Sequence, residues 1–345
     1  MKKISFKDDY STGAHPRILQ AIHRANKGIE ESYGNDSYSK KAEKKIKKIF
    51  ACENSSVHFV SSGTQANLLV ISSALKPYES VIAAHTGHIH LHETGAIEAT
   101  GHKINTIETK DGKLSPALIQ KILDAHHTPP HMVKPKMVYI SNATELGTVY
   151  TLSELENLSL FCRQNHLYLY LDGARLGNAL TTNNDIKASD ICKLTDAFYI
   201  GGTKNGGMFG EAIVIKNKQI NENFEYLMKQ KGALIAKSRY LGAQFEEFFH
   251  TNLYFELAKR ANTQAKKLLD KLKPLNVKFD TINQTNQIFP ILPSSVVRQL
   301  TKDFDFHIWE KINEDLLKIR LVTSWNTTDE EIDILIDKID NYLKS

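Results

Sequence analysis

Lys204, Asp172 and the run Ser62-Gly63-Thr64 are residues whose types and order could do chemistry together. Lys204 sits in Gly201-Gly-Thr-Lys-Asn-Gly-Gly207, a turn between two short apolar runs, Ala197 to Ile200 and Ala212 to Ile215. An amine on such a turn can reach a bound molecule, although a solvated Gly-rich loop has the same composition. A phosphate-binding P-loop needs Gly-Lys-Ser/Thr, and the order Thr203-Lys204-Asn205 fails that test. Asp172 ends the apolar run Leu167 to Leu171 and is followed by Arg175; it reads as a functional carboxylate or as half of a structural ion pair. Ser62, Gly63 and Thr64 open a helix, where free N–H groups and hydroxyls suit a phosphate or simply cap the helix. A phosphate cradle, a buried aspartate and a turn lysine, in that order, are what pyridoxal phosphate requires: the lysine forms a Schiff base and the aspartate keeps the ring nitrogen protonated.

The elements that must position these residues alternate. Val57 to Val60, Val81 to Ala84, Met137 to Ile140 and Leu167 to Leu171 read as strands; Gln65 to Leu75 and Leu152 to Gln164 read as helices, the second with a capping box at Thr151 and Glu154. That pattern predicts an α/β fold, a mainly parallel sheet sandwiched by helices, with ligands at the carboxyl ends of the strands. Before it, helices are expected from Pro16 and from Ser39. After about Asn221 the texture changes to long helices, Phe224 to Phe249 and Glu256 to Leu272, then short apolar runs and a last helix from Asp329 to Leu343. The expected division is a large cofactor-binding domain with the N-terminal segment over 1–250, and a smaller α+β domain over 251–345.

The chain has 345 residues, 41% hydrophobic and 24% charged, and a formal charge of +5. That excess is too small for a nucleic-acid signature, and no apolar run approaches the ~18 residues of a membrane span. The N-terminus lacks the apolar segment of a signal peptide, and three scattered cysteines make no disulfide frame. A cytoplasmic protein is expected. His85-Thr-Gly-His88-Ile-His90-Leu-His92 tempts a metal reading, with His88 and His92 at i,i+4, but lacks a second ligand cluster; a histidine stacked on a pyridoxal ring is the better functional reading.

With those residues in hand, the chain resembles the low-specificity L-threonine aldolases among the fold-type I pyridoxal-phosphate enzymes. The likeness runs through Asp9, Tyr33-Gly-Asn-Asp36, Ser62-Gly-Thr-Gln-Ala-Asn67, His88 with Glu93-Thr-Gly-Ala96, Asp172-Gly-Ala-Arg175-Leu-Gly-Asn-Ala179, Thr203-Lys204 and Arg320-Leu-Val-Thr-Ser324. It implies that Lys204 holds the cofactor, Asp172 pairs with its ring nitrogen and His88 stacks on it, with Ser62, Gly63, Thr64 and Thr203 around the phosphate. Arg175 and Arg320 would hold the substrate carboxylate. Asp8 and Tyr33 would lie by the substrate, and Lys237 would reach a neighbouring subunit's cofactor. A homodimer or dimer of dimers follows, acting on a β-hydroxy-α-amino acid such as threonine, with His88 as the first choice of base. Three places depart from the family pattern. Asp8-Asp9-Tyr10 stands for Ser-Asp-Thr, Ser141-Asn-Ala-Thr-Glu145 stands for Glu-Asn-Thr-His, and Gly-Gly-Thr precedes the lysine. β-Elimination, transamination or racemisation on the same scaffold, a catalytically silent cofactor-binding protein, and a metal-dependent hydrolase are the alternatives.

Overall fold

Seven strands build the central sheet: β1 (Ser56–Val60), β2 (Glu79–Ala84), β3 (Ile104–Ile107), β4 (Lys134–Ser141), β5 (Tyr168–Asp172), β6 (Ala197–Gly201) and β7 (Glu211–Ile215). Their spatial order in this computed structural model, which describes residues 3–182 and 185–344, is β1-β7-β6-β5-β4-β2-β3. Six strands run parallel, and β7 is antiparallel to both β6 and β1. Every residue of β2, β6 and β7 is buried, as expected when helices cover both faces.

The alternation of the strands separates two cores. Ile82, Val138 and Ile140 point into one, against the helices Ser37–Phe50, Leu152–Gln164 and Arg239–His250; Val81, Met137 and Tyr139 point into the other, against Gly63–Ala74. A third core lies in an antiparallel sheet centred on the strand Leu316–Val322. It is flanked by Gln287–Ile288 and Pro290–Pro293 on one edge and His307–Lys311 on the other.

The N-terminal segment, expected with the large domain, is shared. Ile4–Ser5 pairs with Phe304–Asp305, Phe6 joins the third core, and Val322 N donates to Phe6 O at 2.8 Å. The chain is thereby fixed just before Asp8 and Asp9. The helix Leu253–Leu272 bridges the cores, with Leu253 and Leu257 in the first and Ala265 and Leu268 in the third.

The expected continuous helix from Phe224 to Phe249 is two helices, Phe224–Gln230 and Arg239–His250. Gly232 takes a φ of 70°, and Ala233 and Leu234 both donate back to Met228 O, which ends the first helix. The capping box at Thr151 and Glu154 is present. Among the described residues no helix is long and apolar enough to cross a membrane.

Candidate active site

β5 and β6 approach so closely at their carboxyl ends that no side chain fits between them. A methyl group on Gly173 would lie 1.8 Å from Tyr199 O and one on Gly201 would lie 2.3 Å from Ala174 O, while Gly201 N donates to Gly173 O at 2.9 Å. The next turn, Thr203–Asn205, carries Lys204. Burial and the charge of Arg175 hold the Lys204 ammonium below its usual range, against the opposing pull of Asp9, Asp172 and Glu211. Beneath the turn, Glu211 accepts from Gly202 N at 2.7 Å and from the Thr203 hydroxyl at 2.9 Å. Burial raises Glu211 to about 7.

Asp172 is the end of β5 and receives four donors. Oδ2 accepts from Tyr139 Oη at 2.6 Å and Asn67 Nδ2 at 3.1 Å; Oδ1 accepts from Tyr199 Oη and from Ala174 N at 2.9 Å. Burial, reinforced by the charge of Asp172, pushes both tyrosine hydroxyls well above their ordinary values, so they stay protonated and donate. Asn67, on the helix Gly63–Ala74, also donates to Glu93 Oε1 at 2.7 Å, and that oxygen lies 2.8 Å from His88 Nδ1. One polar chain thus connects Asp172 to His88.

His88 and Lys204 line a cavity of about 680 Å³, together with Tyr10, Glu145, Arg175 and Arg320. Arg320 Nε is buried with no hydrogen-bond partner among the described residues, and its guanidinium lies 5.0 Å from the Trp309 ring. Burial and the nearby Arg175 lower Arg320 to about 10. Arg175 gives its Nε and Nη2 to Asp9 at 2.7 and 3.0 Å, and Asn286 Nδ2 steadies the same carboxylate at 2.9 Å. The cavity therefore presents several cations and one guanidinium edge awaiting an anion.

Residues 6–293 match the model of the beta-eliminating lyase family. The chain belongs to that family. It is 36% identical to a low specificity L-threonine aldolase from Pseudomonas sp. over 302 residues, 86% of this chain and 84% of the relative. A solved structure described as a threonine aldolase of Leishmania major superimposes with a TM-score of 0.96 at 45% identity, over 99% of both chains. An aspartate aminotransferase of Thermus thermophilus shares the fold at 15% identity, with a TM-score of 0.73 over 99% of this chain and 91% of that one.

Pyridoxal phosphate is the cofactor of this lyase, and the residues present fit it. The lowered lysine supplies a more readily neutral amine, Asp172 a carboxyl group fixed in place by four donors, and the orphaned Arg320 nitrogen an anion contact. At the helix start, the Ser62 hydroxyl accepts from Gln65 N at 3.3 Å, and a methyl on Gly63 would lie 2.9 Å from Tyr199 Oη. Gly63 and Thr64 therefore stand beside the aspartate cluster, with first-turn N–H groups that have no partner within the helix.

Not every expected residue of the lyase reaches the cavity. The Asp8 carboxylate closes its own turn, accepting from Tyr10 N, Ser11 N and Ser11 Oγ at 3.1, 2.7 and 2.8 Å; the neighbouring Asp9 is the one that meets Arg175. The Thr203 hydroxyl proton is committed to Glu211, so it cannot also be donated to a phosphate. Tyr33 and Lys237 are exposed on adjacent segments, joined by Tyr33 N to Ala236 O at 3.2 Å and by Gly34 N to Ser238 Oγ at 2.5 Å, and neither is part of the cavity lining. His88 opens the one-turn helix His88–Leu91 and His92 follows it, their rings 5.5 Å apart, and no group of three or more ligating side chains among the described residues is placed to hold a metal ion. Asp9, Asn67, Glu93, Tyr139, Tyr199 and Glu145 were not singled out for site roles from the sequence.

Proposed function

We propose that this lyase is an aldolase that cleaves L-threonine or L-allo-threonine to glycine and acetaldehyde. The observation that carries the reading is the placing of Lys204, with its lowered amine, in one cavity with Arg320 and Arg175, one strand from Asp172. The names of the Pseudomonas and Leishmania relatives support the same substrate. Pyridoxal phosphate, when bound, supplies an electron sink for the pair released at the substrate's α-carbon.

Lys204 would hold the cofactor through its amine. Asp172, oriented by Tyr139, Tyr199 and Asn67, would face the ring nitrogen and hold its proton. His88, fixed through Nδ1 by Glu93, would cover the ring, and the start of the helix at Ser62, Gly63 and Thr64 would receive the phosphate. Arg320 clamps the substrate carboxylate with Arg175, whose Nη1 remains when its other edge is given to Asp9. The division at residue 250 then separates cofactor holding from the contribution of Arg320. Tyr33 and Lys237, exposed together on one surface, act on the site of a neighbouring subunit in a homodimer or dimer of dimers. A cytoplasmic setting fits the three free, buried cysteines.

The test is to incubate purified protein with threonine, serine and alanine while following acetaldehyde, pyruvate and inverted alanine. Acetaldehyde from threonine is expected, and it should disappear in Lys204→Ala. Pyruvate or inverted alanine without acetaldehyde would replace this reading with elimination or racemisation. A coloured protein with no turnover would mark a silent cofactor-binding protein.

A further inference from the structure

We infer that Glu145 is the group that takes the proton from the substrate's β-hydroxyl. This rests on the aldolase reading above, and it assigns a step that cofactor, lysine and arginines leave unserved. Breaking the Cα–Cβ bond to release an aldehyde requires the hydroxyl proton to leave as the C=O forms. The acceptor must face the cavity, be fixed in place and have a raised affinity for a proton.

Glu145 meets all three conditions. It lies in the loop after β4, and that loop is tied down on several sides. Thr144 N donates to Thr148 O at 2.9 Å, their hydroxyls meet at 2.7 Å, Thr148 Oγ1 donates to Asp111 O at 2.6 Å, and Gln287 Nε2 donates to Thr144 O at 3.1 Å. The side chain lines the cavity, with Oε1 accepting from Ser141 Oγ at 2.7 Å and from His88 N at 3.0 Å. Both bonds fall on Oε1, leaving Oε2 as the oxygen that can meet a ligand. Burial raises its proton affinity, the charge of Asp172 adds to this, and Ser141 and His88 oppose it. Arg175 and Tyr139 also feel its charge, and Lys204 faces it across the cavity.

Several other acceptors that line the cavity have partners of their own, and His307 and the Nε2 of His88 are the rivals that the test below must beat. Glu310 also lines the cavity but pairs with Lys318 at 2.6 Å. His88 Nδ1 is held by Glu93, and His85 Nδ1 lies 3.2 Å from Glu108. His92 is exposed to solvent. Arg175 and Arg320 are guanidinium cations suited to holding anions, and Lys204 is assigned to the cofactor.

The step balances without a further reactant. The O–H bond breaks and its proton joins Oε2 of Glu145. The freed electron pair forms the aldehyde C=O, and the Cα–Cβ pair stays with the α-carbon, which later takes one proton to give glycine. Glu145 thus begins as a carboxylate and ends protonated, and returning its proton restores it.

A pair of reactions on the cofactor-loaded protein tests this. Threonine cleavage needs the β-hydroxyl proton removed, whereas exchange of glycine's α-proton in heavy water, read by NMR, does not. Glu145→Gln should lower kcat for threonine on the order of 100-fold. It should keep glycine exchange within a few-fold of the native rate and remove the acidic limb from the pH profile of kcat/KM. Glu145→Asp, which keeps the carboxylate, should recover part of the cleavage. Visible absorbance of the bound cofactor and a thermal melt establish that each variant is loaded and folded. Native cleavage by Glu145→Gln, or parallel loss of both reactions in a loaded and folded Glu145→Asp, would overturn the assignment. If native protein exchanges glycine's proton but releases no acetaldehyde from threonine, the aldolase reading itself fails and takes this step with it.

Discussion

Arg175 meets Asp9 edge-on, each oxygen of the carboxylate receiving one guanidinium N–H, in a site where both side chains are almost wholly enclosed. Burial alone would raise Asp9, but Arg175, then Lys204 and the hydrogen bond from Asn286, bring it below its ordinary 3.8. The pair also decides how much of Arg175 is free for a substrate carboxylate.

Asp9→Ala should therefore destabilise the protein by about 3–5 kcal/mol, since it leaves a buried guanidinium uncompensated. Urea denaturation measures this. The folded carboxyl has the lower pKa, so its contribution is complete above 3.8 and is lost as pH falls through the depressed folded value. Native protein should show that acid loss, and Asp9→Asn should not.

Glu211 carries the opposite sign. Its folded value of about 7 lies above the ordinary 4.5, so the folded state binds a proton that the unfolded state has released. Native stability should then fall as pH rises between those values, by on the order of 3 kcal/mol. Glu211→Gln should flatten that window in denaturation curves taken across it.

Arg320→Ala should raise KM for threonine with little effect on the cofactor's absorbance. A charge-assisted hydrogen bond contributes about 1.5–3 kcal/mol, which corresponds to roughly 10- to 150-fold. Arg320→Lys should recover little, because an ammonium cannot offer two parallel N–H groups. Steady-state kinetics with a separate cofactor titration distinguishes loss of substrate binding from loss of the holoenzyme.

Lys204, Asp172 and Arg175 were legible because each lies at the end of an apolar run, where turn chemistry stands out over a few residues. The mainly parallel sheet followed from the same alternation, whereas the order of its strands did not. Asn67 and Asp9 were not legible as partners, because their contacts to Asp172 and Arg175 span 105 and 166 residues. Glu145 was hidden for a different reason. Its segment departs from the familiar pattern, so spacing offered no role until Ser141 and His88 were seen to hold it. The helix expected through Gly232 was continued because the apolar pattern resumes beyond it; only the left-handed backbone at that glycine reveals the break.

Gly173→Ala should show how finely the strand ends are fitted. Its methyl would overlap Tyr199 O, a backbone atom that cannot move without displacing β6. A cost of about 1–3 kcal/mol or more is expected in urea denaturation. Cofactor absorbance should fall as well, because the same displacement separates Asp172 from the Lys204 turn.

Subunit mixing tests the placing of Tyr33 and Lys237. Lys204→Ala lacks the amine but keeps the exposed patch; the double variant Tyr33→Phe, Lys237→Ala keeps the amine but lacks the patch. Each alone should be nearly inactive. In a mixed dimer, a patch acting across the interface completes the site of the subunit that still has Lys204. The other site lacks both. Random pairing makes half of the dimers mixed, with one native site in two, so about a quarter of native activity should return. Tyr33 and Lys237 acting within their own subunit would give no recovery, because neither chain then holds a complete site.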